Sequence, residues 1–98
     1  MHTLGRMEID FEWDETKRQA NGRKHGVDFA DAVEVFYHDL SCSMPDPDHH
    51  AQQRFLIAGT DAFGRVLLLV YAQPDHQTIC IISARPATPA ERRDYEQG

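Results

Sequence analysis

The chain has 98 residues, 41% of them hydrophobic and 27% charged, with a net charge of −6 and two cysteines. A chain of this length forms one domain that removes roughly 60–65% of its unfolded surface from water, and its ordinary composition excludes a disordered, fibrous or disulfide-framework protein. No apolar run approaches the roughly 18 residues of a membrane span, and Met1 to Asp10 carries no apolar signal-peptide core, so a cytoplasmic location is expected.

Residues 1–6 read as a loose extension of the single domain that spans 1–98. Ile9, Phe11 and Trp13 then alternate with Asp10 and Glu12, which predicts a short strand with one wet face. Asp14 is placed to cap a helix over Glu15 to His25. Its acidic start and the Lys24–His25 end suit the helix dipole, and Gly26 supplies the left-handed stop. Ala20 is the only apolar residue of that helix.

Asp28 caps a second helix in which Phe29, Ala32, Val33, Phe36 and Tyr37 recur at core-facing helical spacing. Leu40 to Gln53 reads as a loop around Met44-Pro45-Asp46-Pro47-Asp48, with room for a short edge strand. Arg54 to Thr60, Arg65 to Ala72 and Thr78 to Arg85 are β-rich runs separated by D-A-F-G and Q-P-D-H, a predicted antiparallel meander. The middle run is apolar on both faces, which places it at the sheet centre. Thr88-Pro89-Ala90-Glu91 is a capping box with proline at the first helical position, opening a helix to about Gln97. The predicted fold class is α+β, helices packed on a small antiparallel sheet.

The acidic total hides an uneven distribution. Between Val27 and Asp61 seven acids face the single base Arg54, whereas Glu15 to Gly26 holds four bases and one acid. Arg85, Arg92 and Arg93 form a second basic group around Glu91. Screening limits exposed charges to a reach of about 8 Å, so local charge decides what a surface attracts and an acidic chain can carry a basic face.

Two constellations could carry chemistry. Lys17, Asn21 and Lys24 share one helical face at i, i+4 and i+7, with His25 at its end. Such a face offers cations for phosphate oxygens and an imidazole for proton transfer; its plainer reading is a solvated face with a capping histidine. In the second, Arg85 ends the last strand, and Glu91, Arg92 and Tyr95 meet on one side of the last helix, where surface ion pairs and a packed tyrosine are the plainer reading. Asp46, Asp48, His49 and His50 invite a metal, but the neighbouring prolines suit a loop rather than a ligand cage, so neither metal nor cofactor is expected. Cys42 and Cys80 lack ligand or redox spacing and are expected as free thiols.

The blocks F-E-W-D (Phe11 to Asp14), N-G-R-K-H-G-V-D-F (Asn21 to Phe29), P-D-P-D-H (Pro45 to His49) and I-I-S-A-R-P-A-T-P-A-E-R-R-D-Y-E (Ile81 to Glu96) together resemble the BrnT family of ribonuclease toxins. The resemblance covers nearly the whole chain after Met7. It implies a compact RelE-like α+β fold and the toxin of a bacterial type II toxin–antitoxin system. Such a toxin cleaves RNA, inhibits translation and growth, and is neutralised by a BrnA-type DNA-binding antitoxin, with a toxin–antitoxin heterotetramer as the expected complex and DNA contacted only through the antitoxin.

Metal-independent RNA cleavage needs a base, an acid and cations for the charge that grows on phosphorus. For that role His25 is assigned as acid/base, Lys24 and Arg85 as phosphate clamps, and Tyr95 as a second proton-transfer or stacking group. Lys17, Asn21, Arg65, Arg92 and Arg93 are RNA-contact candidates, and Glu12 and Glu91 orient cations. The acidic stretches Asp28 to Glu34 and Asp46 to Asp48 suit a basic partner. The alternative function is a catalytically inactive binding module that serves as the antitoxin's co-repressor.

Overall fold

The computed structural model describes residues 2–6, 9–37, 42–46 and 54–97, with only the backbone of residues 2–6 and 42. Its elements are β1 (His2–Arg6), β2 (Ile9–Trp13), α1 (Glu15–His25), α2 (Phe29–Ala32) running on as a 3-10 turn (Val33–Tyr37), β3 (Cys42–Pro45), β4 (Phe55–Thr60), β5 (Val66–Asp75), β6 (Thr78–Pro86) and α3 (Pro89–Gln97). They form an α+β fold around a six-stranded sheet of order β1-β2-β6-β5-β4-β3. The predicted meander is β4-β5-β6, and β3, antiparallel to β4, is a short edge strand within the stretch read as a loop with room for one.

Three features depart from the sequence expectation. Residues 2–6 are not a loose extension but β1, antiparallel to β2 from His2↔Trp13 to Arg6↔Ile9. Strand β2 joins the meander by running parallel to β6, so one pair in the sheet is parallel. The second helix tightens after Ala32 into 3-10 geometry, which turns Val35 inward beside Phe29, Ala32 and Val33 and leaves Phe36 and Tyr37 half-buried. Three residues per turn instead of 3.6 is the reason the apolar stripe shifts.

The core lies between one sheet face and the α1–α2 layer. Phe11, Trp13, Leu67, Leu69, Tyr71, Ile79 and Ile81 contribute from the sheet, and Val27, Phe29, Ala32, Val33 and Val35 from the helical layer. Aromatic rings tie the layers together, with Phe11–Phe36 at 5.3 Å, Phe36–Tyr71 at 5.1 Å and Trp13–Phe29 at 6.2 Å between centroids. Each such pair adds about 0.5–1.5 kcal/mol to area burial. On the opposite sheet face Leu56, Ala58, Leu68 and Val70 are half-buried.

Local chemistry sets the helix ends. The Asp14 carboxylate accepts from the Thr16 and Lys17 amides, and Gly26 at φ 70° ends α1. Arg18 then locks the corner. Its guanidinium donates to both oxygens of Asp28 at 2.8 and 2.9 Å while Asp28 caps α2 through the Ala30 amide. That arginine holds the Asp28 carboxyl below its usual range.

Candidate functional site

One end of the sheet gathers most of the residues singled out in the sequence. There β4 ends at Thr60, β5 begins at Val66, β6 ends at Pro86, and α1 arrives with Gly26. Three contacts join these parts. The Ala87 amide donates to the Val66 carbonyl at 2.9 Å, Arg65 Nη1 donates to the Gly26 carbonyl at 3.2 Å, and the Tyr95 and Thr60 hydroxyls lie 3.4 Å apart.

A β-bulge aims Arg85. Val70 pairs with Ser83 but Tyr71 pairs with Ile81, so Ile82 is the inserted residue. An extra residue shifts the alternation by one, which puts Ala84 in the core and Arg85 on the opposite sheet face beside Leu68. There Arg85 forms a two-point fork with Glu91, at 2.8 Å (Nη1 to Oε1) and 2.9 Å (Nη2 to Oε2). The Glu91 carboxylate also accepts from the Thr88 amide while its own amide donates to the Thr88 hydroxyl, completing the predicted capping box. Chiefly through the Arg85 hydrogen bonds, and then that amide, the Glu91 carboxyl is pulled down to about 2. At neutral pH it is therefore an ionised anchor for Arg85 and a poor proton acceptor.

The turn between β4 and β5 is built on Asp61, whose side chain is 0% exposed. Its Oδ1 accepts from the Phe63 amide at 3.0 Å and the Arg65 amide at 2.8 Å, and its Oδ2 from Arg65 Nε at 2.8 Å. Gly64 closes the turn at φ 81°, a conformation that favours glycine. Arg65, held at three points by Asp61 and Gly26, lies on the α1 side of the sheet. It sits next to the end of α1, which carries exposed Lys24 and half-buried His25. The guanidinium also sits over the Phe63 ring at 5.4 Å.

The candidates thus separate into two groups on either side of one rim. Lys24, His25 and Arg65 stand on the α1 side, and Arg85, Glu91 and Tyr95 on the other. Arg65 precedes by three residues the Leu68 that pairs with Arg85, an offset of about 10 Å along the strand. Arg92 and Arg93 are exposed on α3, with Arg92 3.8 Å from Glu96. Lys17 is exposed toward the other end of α1, about 10 Å from Lys24 along the helix axis.

Two candidates leave the site. Asn21 is not on an RNA-facing surface: it is 7% exposed. Its amide nitrogen donates to the Val27 and Ala84 carbonyls at 3.0 and 2.8 Å, and its oxygen accepts from the Ala84 amide at 3.1 Å. Both backbone groups of Ala84 face away from β5 at a point beyond the paired part of β2, so the asparagine stands in for a strand partner. Glu12 pairs with Cys80, five residues from Arg85 on β6, about 16 Å along the strand and outside the Arg85 group. Cys80 is a free thiol, pushed up by burial and then by the charge of Glu12. Pro47, Asp48, His49 and His50, from the run considered for a metal, and the Cys42 side chain lie outside the described residues.

Sequence reasoning did not assign Asp61 a role. The available signal was D-A-F-G-R itself, an aspartate opening a turn that closes on glycine.

Fold and rim define a small α+β protein that concentrates positive charge and hydroxyl, imidazole and aromatic groups at one end of its sheet. The sequence model of one family, the ribonuclease toxin BrnT of type II toxin–antitoxin systems, matches residues 13–91, and the chain belongs to that family. The 1.1 Å crystal structure of the Brucella abortus ribonuclease toxin BrnT is similar to it, with a TM-score of 0.61 and 31% identity over 85% of this chain and 99% of that one. No curated protein matches. Membership of a type II system implies an antitoxin partner. Among the described residues no helix is long and apolar enough to cross a membrane.

Proposed function

We propose that this toxin is a metal-independent endoribonuclease that uses the ribose 2′-hydroxyl as its nucleophile, acts in the cytoplasm and is neutralised by a BrnA-type DNA-binding antitoxin. The observation that carries this reading is the placement of Arg85 at the rim by the β6 bulge, with Tyr95 on the same helix as its Glu91 anchor and Lys24, His25 and Arg65 across the rim, in a chain of a ribonuclease-toxin family. A single RNA strand crossing the rim meets cations on both sides. His25 takes the proton of the 2′-hydroxyl. The 2′-oxygen attacks phosphorus, the bond to the 5′-oxygen breaks, and that oxygen leaves with a proton supplied by the second group, for which Tyr95 is the candidate. The products are a 2′,3′-cyclic phosphate and a 5′-hydroxyl.

Lys24 and Arg85 offset the charge that develops on the phosphorane, a contribution worth about 10²–10³ in rate per preorganised donor. Glu91 holds Arg85 in place, and an incoming phosphate competes with it for the guanidinium. The same fork is the one observation that favours the second reading, an inactive co-repressor, because it already occupies two Arg85 donors.

Induction in cells decides between them. Arg85→Ala and Lys24→Ala proteins are expected to fold and to bind antitoxin but to leave growth unaffected when expressed alone. Growth arrest as strong as that of the parent from both variants would contradict the site, and absence of arrest from the parent would favour the co-repressor.

A further inference from the structure

We propose that Phe63 is a stacking platform for one base of single-stranded RNA, and that Arg65 contacts the adjoining phosphate. This rests on the RNA-cleaving reading above and adds to it a subsite on the β4–β5 turn. Phe63 is 69% exposed, an apolar ring at the tip of a connection where a polar residue would be the ordinary choice. The tip is held rigid, since the Phe63 and Arg65 amides both bond the buried Asp61 carboxylate and Gly64 adopts φ 81°. The backbone that carries the ring is therefore fixed, and with Arg65 lying 5.4 Å over one face of the ring the other face is open to a base.

Asp61 and the Gly26 carbonyl engage three of the five guanidinium N–H donors of Arg65, which leaves two. The side chain remains 37% exposed, so those donors can reach a phosphate. An aromatic face for a base beside a cation for the backbone is the arrangement that binds single strands without reading their sequence. Charge favours RNA over a protein at this tip. The last turn of α1, to which Arg65 is bonded through Gly26, carries Arg23, Lys24 and His25, and a basic DNA-binding antitoxin would be repelled there.

The test measures binding of a short 2′-O-methyl RNA, which lacks the attacking hydroxyl, to the full chain. Phe63→Ala should weaken binding roughly 10-fold or more, Phe63→Tyr should restore it, and Arg65→Gln should reduce the slope of log affinity against log salt by about 1. Circular dichroism of Phe63→Ala should match the parent, because the ring is outside the core. Parent and Phe63→Ala binding equally well overturns the subsite while leaving the RNA reading intact. A parent that binds no RNA overturns the RNA reading itself. Loss of antitoxin binding with RNA binding unchanged in Phe63→Ala overturns the subsite in favour of a protein contact.

Discussion

Replacing Asn21 by alanine tests whether the polar helix α1 is held to the sheet as the structure shows. The substitution removes three hydrogen bonds, to the Val27 carbonyl and to both backbone groups of Ala84. At about 1 kcal/mol each, with the abandoned groups buried, the loss comes to about 3 kcal/mol. Alanine recovers about 0.5 kcal/mol through its better helix propensity, so the net loss is about 2–3 kcal/mol. For a domain of this size that lowers Tm by about 10–20 °C. Urea unfolding followed by circular dichroism measures it directly, with Lys17→Ala, an exposed neighbour on the same helix, expected within about 0.5 kcal/mol of the parent. Asn21→Asp should be worse at neutral pH, because a carboxylate cannot donate to two carbonyls, and should partly recover in acid as protonation restores one donor. A loss under about 0.5 kcal/mol for Asn21→Ala would mean that these three bonds do not hold α1 to the sheet.

The Glu91 carboxyl is lowered from 4.5 to about 2, so its pairing stabilises the fold in full above about pH 4.5 and that stabilisation is lost as pH falls through about 2. With Arg85 and Glu91 each 37% exposed, solvent screening limits the effect to about 1 kcal/mol; acid titration of Glu91→Gln should lack this component, and an acid profile identical to the parent's would deny the pairing. Asp61→Asn keeps an oxygen for the turn amides but loses the charge that holds Arg65. It should cost about 2 kcal/mol in urea unfolding and raise KM for RNA more than it lowers kcat; unchanged stability would mean the buried carboxylate is not paired as described. Asp28→Ala removes both the α2 cap and the Arg18 partner and should cost about 1–2 kcal/mol in urea unfolding, whereas a midpoint equal to the parent's would show that neither contact matters.

The parts of the fold that were legible are those written in local chemistry. Asp14 and Gly26 bound α1 where the sequence places its ends, and Thr88 with Glu91 opens α3. Alternation and turn residues likewise mark β4, β5 and β6, although β5 runs on to Asp75, leaving His76 and Gln77 as the turn. What escaped depends on partners far along the chain. Asn21 looks like a member of a basic face because Lys17 and Lys24 flank it at helical spacing, and only Ala84, 63 residues away, reveals its inward role. The parallel β2–β6 pair and the β1–β2 pair are equally non-local, and Met1 to Arg6 has too little pattern to announce a strand. The bulge at Ile82 escaped for another reason. Ile81 and Ile82 are interchangeable to a hydrophobic pattern, yet the inserted residue decides which sheet face Arg85 serves. The candidate site was legible as residue types, and its division across a rim was not.

The most direct test of metal-independent cleavage is incubation of the purified chain with RNA in the presence of EDTA, followed by analysis of the new ends. Cleavage is expected to persist in EDTA and to leave 2′,3′-cyclic phosphate and 5′-hydroxyl termini, with activity lost in Arg85→Ala. Cleavage abolished by EDTA, or termini carrying 5′-phosphate and 3′-hydroxyl, would contradict that mechanism.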